Sequence, residues 1–190
     1  MVVIGVLALQ GDYAAHCAAF HRCHVTTLLI TKPQQLNQVD GLVIPGGEST
    51  SLLKLMRPLS FMAAIRDFSQ QKKAIFGTCA GAILLARHVE PEQQSLGLLD
   101  IAVKRNAYGR QLDSFITEEQ SALSDKPMEM VFIRAPQIVS VDNNDIKILA
   151  SYQRQPVLVR HQHILAATFH PELSEHAIVH EYFVKMIGRS

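Results

Sequence analysis

The sequence has almost no net charge, few cysteines and no long apolar run. Among 190 residues, 18 Lys and Arg are balanced by 17 Asp and Glu, which leaves a net charge of +1. This balance gives no reason to expect nucleic acid or an anionic membrane as a partner. The three cysteines are an odd number without disulfide spacing, which is consistent with reduced thiols.

Signals for export and for membrane insertion are also absent. The chain begins with a strand-like apolar segment, residues 2–9, and lacks a basic region or a cleavage site there. No apolar run approaches the roughly 20 residues that a membrane-spanning helix needs. We therefore expect a cytoplasmic protein. The length and a hydrophobic content of 48% predict one globular domain, residues 1–190.

The strongest chemical signal is the segment Gly77-Thr78-Cys79-Ala80-Gly81. An apolar run before it, residues 74–76, predicts a buried strand, and the Ala-rich residues 80–86 predict a helix. Glycines two positions before and after Cys79 allow strand and helix to pack closely, as in a nucleophile elbow. The helix dipole at this position favours the thiolate, the form that attacks. The alternative for a cysteine in such a turn is a buried structural residue.

A thiol nucleophile needs a base, and the base needs an orienting group. The apolar residues 164–169 predict a second buried strand, which ends in His170-Pro171-Glu172. Residues two apart in an extended segment project to the same side, so His170 and Glu172 can face one site. Alone, this tripeptide also fits a simple strand-to-helix turn. Together with the elbow it predicts a Cys79, His170, Glu172 triad.

A third signal is Pro45-Gly46-Gly47-Glu48-Ser49-Thr50, which follows the apolar strand of residues 41–44. Acyl transfer passes through an oxyanion that backbone N–H groups stabilise. We expect the N–H groups of Gly47 and Ala80 to form this oxyanion hole. A phosphate cradle is the rival interpretation, but the Gly-x-x-x-x-Gly-Lys-Ser/Thr pattern is missing and Glu48 would repel the anion. An ordinary turn with a helix cap is the other alternative.

The order of predicted elements indicates the fold. Strands alternate with helices over residues 2–87, which predicts βαβ crossovers and a parallel sheet covered on both faces. From residue 98 onward, short strands predict antiparallel hairpins or an extension of the sheet, with a hairpin turn at residues 142–145. The predicted fold is a three-layer α/β fold, with a mostly parallel central sheet, flanking helices and an antiparallel extension. Sites in such sheets form beyond the carboxyl ends of the strands, where Gln10, Gly47 and Cys79 fall.

The first predicted helix, residues 12–24, is rich in histidine and cysteine. Ala15, Ala18, Ala19 and Phe20 are available for its sheet-facing side. Its histidines and cysteines occupy neighbouring positions that point in different directions, so they do not converge as metal ligands must. We therefore expect no metal site here.

These motifs resemble those of the class I (triad) glutamine amidotransferases. The resemblance covers essentially the whole chain and is greatest to the PdxT/SNO family, the glutaminase subunits of pyridoxal 5'-phosphate synthase. Three further segments carry it: Leu9-Gln10-Gly11, the run Lys104-Arg105-Asn106-Ala107-Tyr108-Gly109-Arg110-Gln111 with Asp113-Ser114-Phe115, and Phe132-Ile133-Arg134-Ala135-Pro136. The run beginning at Lys104 is the most specific to this family.

The resemblance implies a reaction and a set of site residues. It implies hydrolysis of the side-chain amide of L-glutamine through a thioester on Cys79. It also implies substrate binding by Gly47, Glu48, Ser49, Arg105, Ile133, Arg134 and Ala135, with Gln10 as a possible loop or partner-interface residue. An arginine fits this role because its planar guanidinium binds a carboxylate through two hydrogen bonds.

The resemblance also implies a partner and excludes a cofactor. Ammonia would pass to a PdxS-type synthase subunit, assembled as a large ring, that makes pyridoxal 5'-phosphate. The isolated chain would be weakly active until docking orders the oxyanion loop. Neither a metal nor pyridoxal phosphate is expected to take part in the glutaminase step.

Three other functions compete with this one. A triad glutaminase serving another synthase would share the chemistry but should lack the signature from Arg105 to Phe115. A DJ-1-like or peptidase-like protein would also have an elbow, yet the Gly-Gly-Glu-Ser loop and His-Pro-Glu favour glutamine. A non-catalytic regulatory subunit would not need intact Cys79, His170 and Glu172.

Overall fold

A computed structural model describes residues 1–105 and 114–188. Its strands are β1 Val3–Leu7, β2 Thr26–Ile30, β3 Gly41–Ile44, β4 Ala74–Thr78, β5 Ala86–Glu90, β6 Leu99–Lys104, β7 Ser114–Ser121, β8 Ser124–Ile133, β9 Gln137–Val141, β10 Lys147–Tyr152, β11 Gln155–His161 and β12 Ile164–Ala167. The helices are α1 Tyr13–Arg22, α2 Ser49–Met56, α3 Phe61–Gln70, α4 Ala80–Leu85 and α5 Ile178–Ile187, with 3-10 segments at Pro33–Gln38 and Pro171–Leu173.

Nine strands form the central sheet, in the order β2-β1-β3-β4-β12-β11-β10-β7-β8. The five strands from β2 to β12 are parallel, and β11, β10, β7 and β8 continue the sheet in antiparallel pairs. This arrangement confirms the predicted α/β fold with a parallel core and an antiparallel extension.

Apolar side chains cover both faces of the parallel strands and complete three layers. On one face, Leu42 and Ile75 pack with residues of α2, α3 and α4. On the other face, Val43 and Phe76 pack with Phe20 of α1 and residues of α5. Neighbouring residues of one strand thus point into different cores, which explains why these strands read as continuous apolar runs.

A second sheet of three strands, β5-β6-β9, was not predicted. The sequence predicts a helix up to residue 86, but α4 ends at Leu85 and β5 begins at Ala86. The turn at residues 142–145 is present, yet it does not close a hairpin. It connects β9 to β10, which belong to different sheets because β9 pairs with β6.

The buried face of α1 also differs from the predicted one. His16, Ala19 and Phe20 are its buried residues, whereas Ala18 is exposed and Ala15 is half-buried. Positions 16, 19 and 20 lie on one helical stripe, so burying Phe20 also buries the histidine one turn earlier. None of the helices within the described ranges is long and apolar enough to cross a membrane.

The pairing of β12 with β4 positions the site. These neighbours are parallel and in register, with Ala167 opposite Thr78. The Cys79 N–H donates to the Ala167 carbonyl at 2.9 Å, which extends the pairing by one residue. The residues after both strands therefore emerge side by side at one edge of the sheet.

Gly81 allows α4 to approach β3. A Cβ atom at this position would overlap the carbonyl oxygen of Ile44, a backbone atom that cannot move aside. We predict that Gly81→Ala lowers the free energy of unfolding by about 3 kcal/mol or more, because overpacking against backbone exceeds the usual cost of a tight side chain. Urea unfolding followed by circular dichroism measures the change.

Gly188→Ala is the matched control, since a Cβ there would meet no atom within 4 Å. This variant should unfold at the wild-type urea concentration. A Gly81→Ala protein that does the same would contradict the close approach of α4 to β3.

Candidate active site

Cys79 occupies the turn between β4 and α4. Its backbone has φ 47° and ψ −101°, a conformation that a non-glycine residue adopts only under constraint. The Cys79 carbonyl accepts the first α4 hydrogen bond, from the Ile83 N–H at 3.1 Å. The side chain is 6% exposed and lines a cavity. This is the geometry of a nucleophile elbow, as the sequence predicts.

His170 and Glu172 follow β12 and are both buried. His170 Nδ1 lies 2.8 Å from Glu172 Oε1. Glu172 lies in the 3-10 segment that Pro171 begins, and its carboxylate is fully buried. The His170 side chain also interacts with Cys79. The three predicted triad residues are therefore adjacent in the order Cys79, His170, Glu172.

The charge state of His170 follows from these neighbours. Burial lowers the pKa of His170. Hydrogen bonds to Cys79 and Glu172 outweigh this effect and raise the pKa to about 10. The ring is therefore an imidazolium at neutral pH, held between the Cys79 sulfur and the buried Glu172 carboxylate. Such a pair supplies a nucleophile and a proton donor together.

Glu172 has a second neighbour that sequence reasoning missed. His16 of α1 is fully buried, and its Nε2 lies 3.4 Å from Glu172 Oε2 and 3.0 Å from Thr78 Oγ1. The sequence signal was its helical position: His16 shares the stripe with Phe20, so burial of one predicts burial of the other.

The Gly-Gly loop lies beside the thiol and the imidazole. A Cβ at Gly46 would be 2.5 Å from His170 Cε1 and 3.3 Å from Cys79 Cβ, so only glycine fits between them. Gly47 follows with φ +144°. The Glu48 N–H donates to Gln10 Oε1 at 3.2 Å, which ties the loop to the segment that follows β1. Whether Gln10 acts on the loop or at a partner interface stays a prediction.

Glu48 caps α2 and binds an arginine. Its carboxylate accepts hydrogen bonds from the N–H groups of Thr50 at 3.0 Å and Ser51 at 2.7 Å. Burial raises the pKa of Glu48, but the hydrogen bonds from the Thr50 hydroxyl and from the N–H groups of Thr50 and Ser51 outweigh that effect and lower the pKa to about 2. Arg105 lies 3.3 Å from the same carboxylate. Glu48 therefore stays negatively charged and keeps Arg105 at the cavity.

A cavity of about 640 Å³ opens at this edge of the sheet, a size that suits a small metabolite. Its walls include eight predicted residues together with His170: Gln10, Gly47, Glu48, Ser49, Cys79, Arg105, Ile133 and Arg134. Asp12, Ile83 and Ser114 also line it and were not predicted.

Three predicted residues lie behind the cavity wall. Ala135 is 1% exposed, Ala80 is buried at the start of α4, and Glu172 is shielded by His170. Any contribution of Ala80 and Ala135 is therefore through the backbone. Residues 106–113, which hold most of the most specific sequence segment, lie outside the described residues.

Asp12 brings a second carboxylate close to His170. Among the described residues, Asp12, His170 and Glu172 are a group whose ligand atoms lie within 4.8 Å of one another. Both carboxylates face the same nitrogen, His170 Nδ1, at 4.0 Å for Asp12 and 2.8 Å for Glu172. Both contacts are ion pairs when the His170 ring is protonated.

Comparison with known proteins shows the family to which this chain belongs. The model of the SNO glutamine amidotransferase family matches residues 6–189. The chain belongs to this family. It is 46% identical to pyridoxal 5'-phosphate synthase subunit PdxT of Thermotoga petrophila, over 97% of this chain and 98% of that protein. It is 50% identical to the PdxT subunit of Koribacter versatilis, over 97% and 95% of the two chains.

A solved structure is similar over the same extent. A crystal structure described as a glutamine amidotransferase superposes with a TM-score of 0.91 at 40% identity, covering 97% of this chain and 98% of that one. Family membership confirms the resemblance drawn from the elbow, the Gly-Gly loop and His-Pro-Glu. It makes the chain a glutamine amidotransferase, an enzyme with glutaminase activity.

The pKa of His170 gives a prediction for this family member. Cys79→Ala removes one of the two hydrogen bonds that raise this pKa, so the pKa should fall, whereas Cys17→Ala should leave it unchanged. A pH titration of the His170 ring signals by NMR measures both. A wild-type ring that is neutral at pH 7.5 would contradict the ion pair.

The same shift has a consequence for stability. The folded pKa lies above the ordinary value of 6.5, so folding takes up a proton between these pH values. The contribution of His170 to stability is complete below about pH 6.5 and is lost as the pH rises toward 10. Urea unfolding at pH 6.5 and 9 should show this loss in the wild type and less of it in Cys79→Ala.

Proposed function

We propose that the chain is the glutaminase subunit of a pyridoxal 5'-phosphate synthase and passes ammonia to a PdxS-type synthase subunit. The observation that carries this proposal is the strained Cys79 beside the buried His170–Glu172 pair, at a cavity with two arginines. The PdxT relatives support the choice of synthase.

Acylation begins at the Cys79 thiolate. The sulfur attacks the carboxamide carbon of glutamine, and the carbonyl oxygen becomes an oxyanion held by the N–H groups of Gly47 and Ala80. His170 then donates its proton to the nitrogen, the C–N bond breaks, and ammonia leaves. A γ-glutamyl thioester remains on Cys79, and the imidazole is neutral.

Deacylation uses the neutral imidazole. His170 takes a proton from water while the water oxygen attacks the thioester carbon. The C–S bond breaks, and the thiolate and the imidazolium are restored. The new γ-carboxyl group releases the remaining water proton to solvent, and glutamate leaves. Glu172 stabilises the imidazolium and fixes the ring with Nε2 free for the reaction, because Nδ1 is bonded to Oε1.

Substrate binding is assigned to charges of both signs on the cavity wall. Arg105 and Arg134 suit the α-carboxylate of glutamine, and Glu48 lies across the pocket and keeps Arg105 at the cavity wall. Ile133 and Ala135 contribute through their backbone, and Ser49 lies across the cavity. Ser49 is 3% exposed and its hydroxyl donates to Gln93 at 2.9 Å, so it shapes this wall.

The partner is proposed to act on the oxyanion loop. Gly47 and Glu48 are exposed at the cavity rim, where a second protein can reach them. Docking of the synthase subunit, within a hetero-oligomeric ring, would align the Gly47 N–H with the oxyanion. The catalytic domain is proposed to span residues 1–190, and the cytoplasmic location expected from the sequence stays a prediction.

Glutamate release tests this function directly. The purified chain should release little glutamate from glutamine alone and much more with the PdxS-type protein of its own organism. Cys79→Ala should lower the rate of glutamate release by at least about 1,000-fold, because the thioester can no longer form. Mass spectrometry of the quenched reaction should find the γ-glutamyl adduct on Cys79.

Two outcomes would redirect the assignment. Folded proteins that bind each other but release no glutamate would favour a regulatory subunit. Activation by the synthase of another pathway, and not by the PdxS-type protein, would favour the same glutaminase in a different complex.

The arginine assignment has its own test. Arg105→Gln should raise KM for glutamine by about 10-fold or more with a smaller change in kcat, because a charged hydrogen bond to the substrate is worth roughly 1.5–3 kcal/mol. Arg154→Gln is the control, since Arg154 is exposed and does not line the cavity. An unchanged KM in Arg105→Gln would remove this residue from the substrate site.

A further inference from the structure

A buried polar chain lies behind Glu172, on the side away from Cys79. His16 of α1 and His180 of α5 are both fully buried, and His16 Nδ1 lies 3.0 Å from His180 Nε2. The other nitrogen of His16 faces Thr78 Oγ1 at 3.0 Å and Glu172 Oε2 at 3.4 Å. Of these three partners of His16, only Glu172 takes part in the proposed reaction.

Aromatic rings hold the two imidazoles in place. Phe76 contacts both of them edge-on, with centroids 6.0 Å from His16 and 5.9 Å from His180. Phe20 meets His180 edge-on at 4.8 Å. Both rings are therefore clamped between β4 and the two helices, and neither can turn without disturbing the core.

Both imidazoles are neutral. Burial, and to a smaller extent the nearby His180 and His170, hold the pKa of His16 well below 6.5. Burial and the positive charge of Arg22 lower the pKa of His180 to about 3. Each ring therefore carries one N–H and one lone pair at neutral pH.

The contacts select one tautomer of each ring. A lone pair on His16 Nε2 would face the Glu172 carboxylate, so the proton of His16 belongs on Nε2. His16 Nδ1 is then an acceptor, and the 3.0 Å contact requires the proton of His180 on its Nε2. His180 Nδ1 is left as a lone pair, which agrees with its having no hydrogen-bond partner among the described residues.

The His16 tautomer with the proton on Nε2 places an N–H group near the second carboxylate oxygen of Glu172, Oε2. Oε1 is bonded to His170, whereas Oε2 is buried without a well-directed hydrogen bond in the described part of the chain. The His16 Nε2–H group donates a hydrogen bond to Thr78 Oγ1. Its interaction with Glu172 Oε2, at 3.4 Å, is an electrostatic attraction to the partial positive charge of the same N–H group. An unsupported buried carboxylate would rotate or take up a proton, and either change weakens its hold on His170.

We propose that His16, fixed from behind by His180, is a positioning residue that supports Glu172 Oε2 and thereby keeps Oε1 aligned with His170. This inference rests on the proposed function for its catalytic consequence. Helices α1 and α5 would then each supply a residue that supports the triad. Neither His16 nor His180 lines the substrate cavity.

A pair of substitutions separates this role from simple packing. In His16→Gln the side-chain amide reaches the place of Nε2 and keeps a donor toward Thr78 and Glu172. In His16→Asn the amide reaches only the place of Nδ1, and the donor near Glu172 is lost. His21→Gln is the control, on the same helix but exposed.

Kinetics in the presence of the synthase subunit should distinguish them. His16→Asn should lower kcat by about 10- to 100-fold with KM nearly unchanged, because the base is misplaced but the substrate site is intact. His16→Gln should recover most of that loss, and His21→Gln should match the wild type. Equal kcat values for His16→Asn and wild type, or equal losses in both His16 variants, would overturn the proposal.

Two readouts do not depend on turnover. The ¹⁵N NMR signals of His16 and His180 in the wild type should show the Nε2–H form of both rings. The rate of Cys79 alkylation by iodoacetamide against pH, followed by peptide mass spectrometry, should change its midpoint in His16→Asn but not in His16→Gln. Alkylation of Cys17 and Cys23 in the same samples reports any general loosening of the fold.

These readouts separate the two proposals. A wild type that releases no glutamate, yet shows the expected tautomers and alkylation profiles, would refute the glutaminase function and leave the positioning role intact. The Nδ1–H tautomer of His16, or an alkylation profile unchanged in His16→Asn, would refute the positioning role whatever the activity.

Discussion

The active site depends on the register between β4 and β12. Because Ala167 lies opposite Thr78, the two strands end level, and the next residues of both emerge at the same place. One strand turns into α4 and presents Cys79, and the other runs into His170. Cys79 and His170 are 91 positions apart in the sequence, and the pairing of β4 with β12 brings them together. A shift of one residue in this pairing would send one side chain to the other face.

The electrostatic order of the site follows from that closure. A protonated imidazole between the Cys79 sulfur and the buried Glu172 carboxylate is stable because its charge has a partner of opposite sign within the apolar interior. Beyond Glu172, the neutral His16 and His180 continue the polar contacts into the core between the sheet and helices α1 and α5. The histidine-rich α1, which the sequence left without a role, thus joins the sheet face to the triad.

Much of this site was predictable because its chemistry is local. The elbow, the Gly-Gly turn and His-Pro-Glu are short segments in which the residue types themselves dictate the backbone. The structure brings these segments together at one cavity, and the predicted parallel core is confirmed. The contacts of His16 with Glu172 and His180 join residues 156 and 164 positions apart, and no local pattern encodes them. The same holds for β5 and β9, whose partners are set by sheet pairing rather than by propensity.

Glu48, at the rim of the cavity, contacts three parts of the proposed site at once. Its carboxylate caps α2 and holds Arg105, while its N–H binds Gln10 next to the Gly47 peptide. Movement of this one residue would therefore alter the helix start, the arginine and the Gly-Gly turn together. A partner that contacts the exposed Glu48 needs no long pathway to reach the proposed reaction, because Glu48 lies both in the cavity wall and in the loop proposed to hold the oxyanion.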